Sequence, residues 1–155
     1  MSRPTGRQRG FLVIAAVFLI VVLAGLVAYL STVSSTSQAA SAADLNSARA
    51  LQAARAGVEW GMYDLLRVGT AFRASCDGGG ATATSNRNFG STLSPFTVSV
   101  TCTRVTLTEG SDSVKAYRLV SNACNEPVSG ACPNAATTSS TYVEREVSLS
   151  LSVTP

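Results

Sequence analysis

The chain contains no histidine, and its nine acidic residues are scattered singly except for Glu144 and Glu146. Without histidine, neither a Ser-His-Asp triad nor a Cys-His pair can form, and no G-x-S-x-G elbow is present. Glu144 and Glu146 would share the solvent face of a strand; a glycosidase-like carboxylate pair is the alternative. We therefore predict no enzyme activity, no cofactor and no metal site.

Positive charge is also scarce outside the first ten residues. The formal net charge of +3 comes from 12 Lys and Arg against nine Asp and Glu. Arg3, Arg7 and Arg9 precede a long apolar run, so the rest of the chain has nine basic and nine acidic residues. A neutral remainder lacks the basic surface that nucleic-acid binding requires. The charge distribution therefore predicts no nucleic-acid partner.

The four cysteines have no C-x-x-C spacing and fit no zinc knuckle or ribbon. They lie in a region rich in Ser, Thr, Gly and Asn, at Cys76, Cys102, Cys124 and Cys132. An even number of cysteines in such a region predicts two disulfides, and hence an oxidising compartment, the periplasm or the cell exterior. Three pairings are open. Pro127 and Gly130 would fold the chain back between the last two cysteines, which favours 124–132 and leaves 76–102.

Residues 11–30, FLVIAAVFLIVVLAGLVAYL, form a long apolar run without a charge. At about 1.5 Å per helical residue, this run crosses a hydrocarbon layer of about 30 Å. The arginines before it keep the N-terminus in the cytoplasm and direct the rest of the chain outward. An ordinary secretory signal is the alternative, but its apolar region spans only about 7 to 15 residues. We therefore predict a transmembrane segment over 11–30.

The transmembrane segment continues into a second helical stretch, residues 31–68, which contains no proline. Its apolar residues recur at steps of three and four, which is typical of an amphipathic helix: Leu45, Ala48, Leu51, Ala54, Val58, Met62 and Leu65. The pattern predicts one long helix that ends between Leu66 and Gly69. We interpret Trp60, Met62 and Tyr63 as the large side chains that hold a sheet against this helix.

The remaining residues, 69–155, predict a small disulfide-stabilised β head. Residues 69–94 are rich in Gly, Ser, Thr and Asn, which indicates an irregular loop. A change of phase at Arg104 and Val105 indicates a bulge in the strand that contains them. Three runs alternate with period two and predict antiparallel strands, over 96–102, 114–123 and 142–154. Laid on the helix, a three-stranded sheet gives an α+β fold.

The leader and the apolar run carry a family resemblance. RQRG at residues 7–10, followed by FLVIAAVFLIVVLAG, resembles the class III signal of type IV pilins and pseudopilins. The stretch Ser47–Leu66, SARALQAARAGVEWGMYDLL, is similar to the helix of minor pilins of the MshP kind, from MSHA pilus biogenesis, and less closely to PilX. The resemblance implies that residues 1–10 are a leader peptide. A prepilin peptidase is then expected to cut between Gly10 and Phe11 and to methylate the new amino group of Phe11.

The resemblance further implies a structural or assembly role as a minor pilin. The expected location is the bacterial inner membrane with the head in the periplasm, and then the filament at the cell surface. The expected partners are other major and minor pilins, the prepilin peptidase, the inner membrane and its assembly platform. Two other functions fit the sequence: a minor pseudopilin of a type II secretion system, and a signal-anchored periplasmic binding module that never polymerises.

One position departs from the family's pattern. Most major pilins have glutamate at the fifth position after the cleaved glycine, and this position is Ala15 here. A carboxylate inside an apolar bundle is tolerated when it is paired, in the family with the amino terminus of a neighbouring subunit. In related secretion systems the pseudopilin that lacks this glutamate is assigned to the tip. The resemblance therefore implies a tip or initiation subunit.

Overall fold

The computed structural model describes residues 9–110 and 112–153. It contains two helices and an antiparallel sheet, which confirms the α+β class. The elements in chain order are α1 (Arg9–Leu66), α2 (Ala71–Asp77), β1 (Thr82–Asn88), a short 3-10 helix (Ser91–Leu93), β2 (Thr97–Glu109), β3 (Asp112–Cys124) and β4 (Glu144–Val153). Residues 1–8 of the predicted leader peptide lie outside the described residues. The described residues divide into two units, one ending at residue 42 and the other beginning at residue 43.

The long helix α1 is continuous over 58 residues. It ends where Gly69 adopts a φ of +86°, a left-handed conformation that glycine takes at little cost. The hydroxyl of Thr70 donates to the carbonyl oxygen of Asp64 at 2.7 Å. The hydroxyl oxygen of Thr70 also accepts a hydrogen bond from the backbone N–H of Arg73 at 3.4 Å and so caps α2. One threonine therefore ends the first helix and begins the second.

Within residues 43–155, α1 packs on the sheet through small side chains. The buried positions of the helix are Ala50, Ala53, Ala54, Gly57, Val58, Gly61 and Leu65. A Cβ atom added at Gly57 would lie 2.6 Å from Val98 Cγ1, and one at Gly61 would lie 3.0 Å from Val100 Cγ1. The missing side chains thus allow the helix backbone to lie directly on β2.

The predicted apolar face of α1 is correct only in part, because Ala54, Val58 and Leu65 of that stripe are buried. Leu45, Met62 and Tyr63 are 52%, 37% and 58% exposed, although the first two belong to the predicted stripe and the last two were interpreted as packing residues. The reason is physical. A close approach of helix and sheet needs small residues at the contact, and the large side chains are left on the other side.

The sheet has four strands in the order β1-β2-β3-β4, all antiparallel, and not three. The additional strand is β1, which lies with α2 in the segment expected to be an irregular loop. Its sequence, TATSNRN, has one buried residue, Ala83. An edge strand with so little buried surface has no period-two apolar pattern, and hydrogen bonds to β2 position it.

The predicted bulge at Arg104 and Val105 is also wrong. Residues of β2 and β3 pair one to one, without interruption, from Thr97↔Cys124 to Glu109↔Asp112. The apolar phase changes because β1 ends at the pair Thr82↔Thr103. Beyond this point Val105 is 54% exposed, while Arg104 lies on the side of Asp77.

The core lies between α1, α2 and one face of the sheet. Its central side chains, Val98, Val100 and Leu119, are fully buried. The apolar side chains of β4 are partly buried and pack at the border of this core: Val147, Leu149, Leu151 and Val153. The helix and the central strands therefore form the rigid support on which the loops and the charged groups of the head are placed.

Candidate functional site

The first half of α1 presents an apolar surface to its surroundings. The large apolar side chains between Leu12 and Val33 are 39–70% exposed, and no charged residue occurs from 11 to 43. Within the part of the chain that the structure describes, α1 is the one helix long and apolar enough to cross a membrane. So much apolar surface is unfavourable in water. Lipid or other apolar helices are needed to cover it.

The predicted processing site lies at the beginning of this helix. Gly10 and Phe11 belong to the first turn of α1, and residues 1–8 of the predicted leader are not among those described. Ala15 follows Phe11 by four residues, so the two lie on the same side of the helix, one turn apart. Ala15 places a methyl group there instead of an ionisable one.

Both disulfides are present, and they join the pairs that the sequence favoured. Cys76 is bonded to Cys102, which ties α2 to β2. Cys124 is bonded to Cys132, which folds the following loop onto the end of β3. The backbone N–H of Cys132 also donates to Ser99 Oγ at 2.8 Å. These covalent links fix the two loops of the head to its sheet.

A charged cluster that sequence reasoning missed surrounds Asp77, the last residue of α2. The hydroxyl of Tyr117 donates to Asp77 Oδ1 at 2.7 Å. Three cationic nitrogens also lie near this carboxylate: Arg73 Nε at 3.6 Å, Arg104 Nη1 at 3.8 Å and Lys115 Nζ at 3.5 Å. These five residues, here named the Asp77 cluster, come from α2, β2 and β3. Arg73 and Asp77 are an i, i+4 pair on α2, but no local sequence pattern brings Arg104, Lys115 and Tyr117 to them.

The environment of the Asp77 cluster favours the ionised carboxylate. Burial alone would raise the pKa of Asp77, but the hydrogen bond from Tyr117 and the charges of Lys115 and Arg104 together lower it below its ordinary value. Burial, with the hydrogen bond to Asp77, raises the pKa of the Tyr117 hydroxyl. At neutral pH the tyrosine is therefore a neutral donor and the aspartate a negatively charged acceptor.

Trp60 is the packing residue among the three aromatic and sulfur side chains singled out in α1. Its ring lies 5.1 Å from that of Phe72, centroid to centroid, at 51°. The guanidinium carbon of Arg87 lies over the Trp60 ring, 4.1 Å from its centroid. Trp60 thus joins α1 to both α2 and β1. Tyr63, by contrast, contacts its own helix, where its hydroxyl accepts a hydrogen bond from Arg67 Nη1 at 2.8 Å.

A small cavity of about 240 Å³ lies beside Phe72, between α2 and β1. Its walls are formed by Ala71, Phe72, Ser75, Ala83, Thr84, Ser85 and Arg87. The volume is below the roughly 300–1,000 Å³ of typical small-molecule sites. No acid, base and nucleophile are combined in its walls, so we assign no chemistry to it.

The loop between β3 and β4 is organised around Glu126. Its carboxylate accepts hydrogen bonds from the hydroxyls of Thr137, Ser139 and Thr141, at 3.1, 2.8 and 3.2 Å. Close by, the hydroxyl of Tyr142 donates to Glu144 at 2.7 Å. Three neutral donors on one acid are typical of a loop held by its own side chains. The Glu144 carboxylate is likewise held by a neutral donor, the hydroxyl of Tyr142.

None of these arrangements forms a recognisable reaction centre. Among residues 9–110 and 112–153, no three His, Cys, Asp or Glu side chains gather where they could bind a metal ion. Comparison with known families finds no matching family model, and comparisons with curated proteins and with solved structures find no similar protein.

Proposed function

We propose that this chain is a minor pilin, a structural or assembly subunit of a type IV pilus-like filament. The observation that carries the proposal is the division of α1. Its first half leaves large apolar side chains exposed between Leu12 and Val33, whereas its second half packs on a small disulfide-bonded head. A basic leader ending in Gly10 directly precedes the apolar half. This layout supports the proposal, in which the helix is first held in lipid and then among helices of neighbouring subunits.

In this proposal the precursor resides in the inner membrane with its head in the periplasm. The prepilin peptidase removes residues 1–10, and the assembly platform transfers the mature subunit to the filament. Two disulfides in the head fit an oxidising compartment. The apolar surface of α1 fits first lipid and then other pilin helices, because both offer an environment without water.

Processing is the first experiment that tests the proposal. A mass spectrum of the mature protein should show N-methylated Phe11 as the first residue. Gly10→Leu should leave a full-length, membrane-held precursor, since a glycine lets the backbone enter a narrow protease site. Gly25→Leu, farther along the same helix, serves as the control and should be processed normally. An intact leader on the wild-type protein would favour the signal-anchored binding module instead.

The second part of the proposal concerns the position of the subunit in the filament. Burying a lone carboxylate among apolar helices costs several kcal/mol unless an opposite charge meets it. Ala15 supplies no carboxylate, while the amino group of Phe11 remains available to the glutamate of another subunit. Such a subunit can offer its amino group to the glutamate of a subunit below it, but it has no carboxylate to pair with the amino group of a subunit above it. It therefore fits the top of the filament, where assembly begins.

Immunogold labelling tests this position. Label on a tagged subunit should be found at filament ends and at low copy number. A strain without the subunit should make few or no filaments. Ala15→Glu should spread the label along the shaft or impair initiation, whereas Ala16→Ser, which adds no charge at the neighbouring position, should not. Even labelling of wild-type filaments would contradict the tip position and leave the minor-pilin proposal standing.

A further inference from the structure

We propose that the Asp77 cluster is a binding site for one oxyanion, a carboxylate or phosphate group, held by Arg73, Arg104 and Lys115. The first argument is charge. Three cationic side chains lie within 4.0 Å of one carboxylate, so the cluster has a surplus of two positive charges. Among the described residues, these three cations form ion pairs with Asp77 and with no other acid.

The second argument is distance. The three cationic nitrogens lie 3.5–3.8 Å from the oxygens of Asp77, which is longer than the roughly 2.7–2.9 Å of a charge-assisted hydrogen bond. The hydroxyl of Tyr117 already donates a hydrogen bond to Asp77 Oδ1 at 2.7 Å. Asp77 therefore compensates the charge of its neighbours in part, and their N–H groups remain available to a further acceptor.

The third argument is an unsatisfied donor. Arg104 Nε is buried and has no hydrogen-bond partner. Buried polar groups are nearly always paired in folded proteins, and leaving one unpaired is costly. The Arg104 guanidinium therefore has unused hydrogen-bonding capacity next to Asp77, whose Oδ1 lies 3.8 Å from Nη1. Guanidinium groups bind carboxylates and phosphates through two parallel hydrogen bonds, so Arg104 suits such a ligand chemically.

The site is both accessible and positioned before a ligand arrives. The side chains of Arg73, Arg104 and Lys115 are 25%, 20% and 40% exposed, which leaves a path for a small anion. The disulfide at Cys76 fixes the end of α2 next to Asp77. Little ordering is then needed on binding. In an assembled filament, the acidic side chain of a neighbouring subunit would be one source of the oxyanion.

Thermal unfolding of the purified full-length chain in detergent tests the proposal. Inorganic phosphate and succinate are each titrated against chloride at constant ionic strength, so that phosphate and carboxylate binding are measured separately. At least one should raise the melting temperature in a saturable way, because a ligand that binds the folded state stabilises it. Arg104→Gln and Lys115→Gln should each weaken the apparent affinity about tenfold. Arg118→Gln, an exposed position on β3, is the matched control and should retain it.

Asp77→Asn separates an anion site from a purely structural ion cluster. Removal of the carboxylate leaves three cations without a counterion, so the variant should melt at a lower temperature in chloride. If the cluster binds oxyanions, the same variant should bind phosphate more tightly than the wild type and recover part of the lost melting temperature. The proposal is overturned if neither anion has a saturable effect on the wild type, or if Arg104→Gln keeps the wild-type affinity.

Discussion

The two halves of α1 differ in how far their apolar side chains are buried, although they belong to one continuous helix. In the first half many residues are large, and the large apolar side chains between Leu12 and Val33 remain at least 39% exposed. In the second half the residues at the contact are small, and Ala50, Ala53 and Ala54 are fully buried. A simple amphipathic pattern predicts large apolar residues where a helix covers a sheet. In α1 the residues that contact the sheet are mostly small, and the large apolar residues lie in the half without a sheet.

This difference shows what each half requires from its surroundings. Small residues permit a close approach, so the second half obtains its packing from the sheet of the same chain. Large apolar residues without a partner in the chain need apolar surroundings of another kind, such as lipid or neighbouring helices. One half is therefore complete on its own, while the other becomes complete only in a membrane or an assembly.

The largest expected effect is at Gly57. A leucine at this position would place its Cβ 2.6 Å from Val98 Cγ1 and against Ser121 Oγ, both of them in fully buried residues. We expect Gly57→Leu to lower the free energy of unfolding of the head by about 3 kcal/mol or more, the upper end of the cost of overpacking, since the added side chain forces the helix away from the sheet. Urea unfolding followed by near-UV circular dichroism measures this loss.

The matched control is Gly25→Leu in the first half of the same helix. A Cβ at Gly25 has no atom of another turn or element within 4 Å, so the stability of the head should change by no more than about 0.5 kcal/mol. Equal urea midpoints for the two variants would show that the close contact between helix and sheet is not what stabilises the head.

These glycines also mark the limit of what the sequence could predict about α1. The helix itself and its end near Leu66 follow from composition and from the absence of proline. The contact face follows only in part, because a helix with apolar residues on several sides can turn any of them toward a sheet: Val58 and Leu65 are buried, but Met62 is not. Gly57 and Gly61 are poor helix formers. In the sequence they therefore look like weak points of the helix, and nothing local indicates that they allow its close contact with the sheet.

The second-largest effect is expected from the disulfides. Replacement of both Cys76 and Cys102 by serine should lower the free energy of unfolding by about 2–4 kcal/mol. The same replacement of Cys124 and Cys132 should cost about 1 kcal/mol less on the chain-entropy model, since it opens a sequence separation of 8 instead of 26. Thermal unfolding of both double variants beside the exposed-residue control Thr92→Ala checks this order.

The redox state provides an independent measurement of the same prediction. Alkylation of protein taken from the periplasm, before and after reduction, should find all four cysteines oxidised. Free thiols in that sample, or a larger loss from the 124–132 pair than from the 76–102 pair, would contradict the prediction.

The cysteine pairing and the Asp77 cluster differ in how far the sequence could reveal them. Turn residues between Cys124 and Cys132 favour one pairing, and the other follows from it. For Asp77 the local sequence offers only Arg73, four residues earlier on α2, because Arg104 and Lys115 lie on the β2–β3 hairpin. The helix α2 was missed although Thr70, directly ahead of it, was a detectable N-cap.

A smaller effect is expected from acid. The folded-state pKa of Asp77 is lowered, so the stability it contributes is fully present above the unfolded pKa of about 3.9 and is lost as pH falls through the lower folded value. Asp77→Asn should therefore be less stable than the wild type at neutral pH and approach it in strong acid. Urea midpoints between pH 7 and pH 2 test this, with Asp44→Asn as control. A constant difference across that range would contradict the assignment.

The smallest effect is expected at Gly61, where two opposing terms nearly balance. Alanine is the better helix former by about 1 kcal/mol, which would stabilise α1 if the space were open. A Cβ at Gly61, however, would lie 3.0 Å from Val100 Cγ1 and 3.4 Å from two atoms of Leu119. Both neighbours are fully buried, so they cannot move aside into solvent. We therefore expect Gly61→Ala to destabilise the head by less than about 1 kcal/mol, whereas Gly25→Ala should leave its unfolding unchanged. If Gly61→Ala instead raised the free energy of unfolding, Val100 and Leu119 would be able to shift to accommodate the new methyl group, which would contradict the prediction.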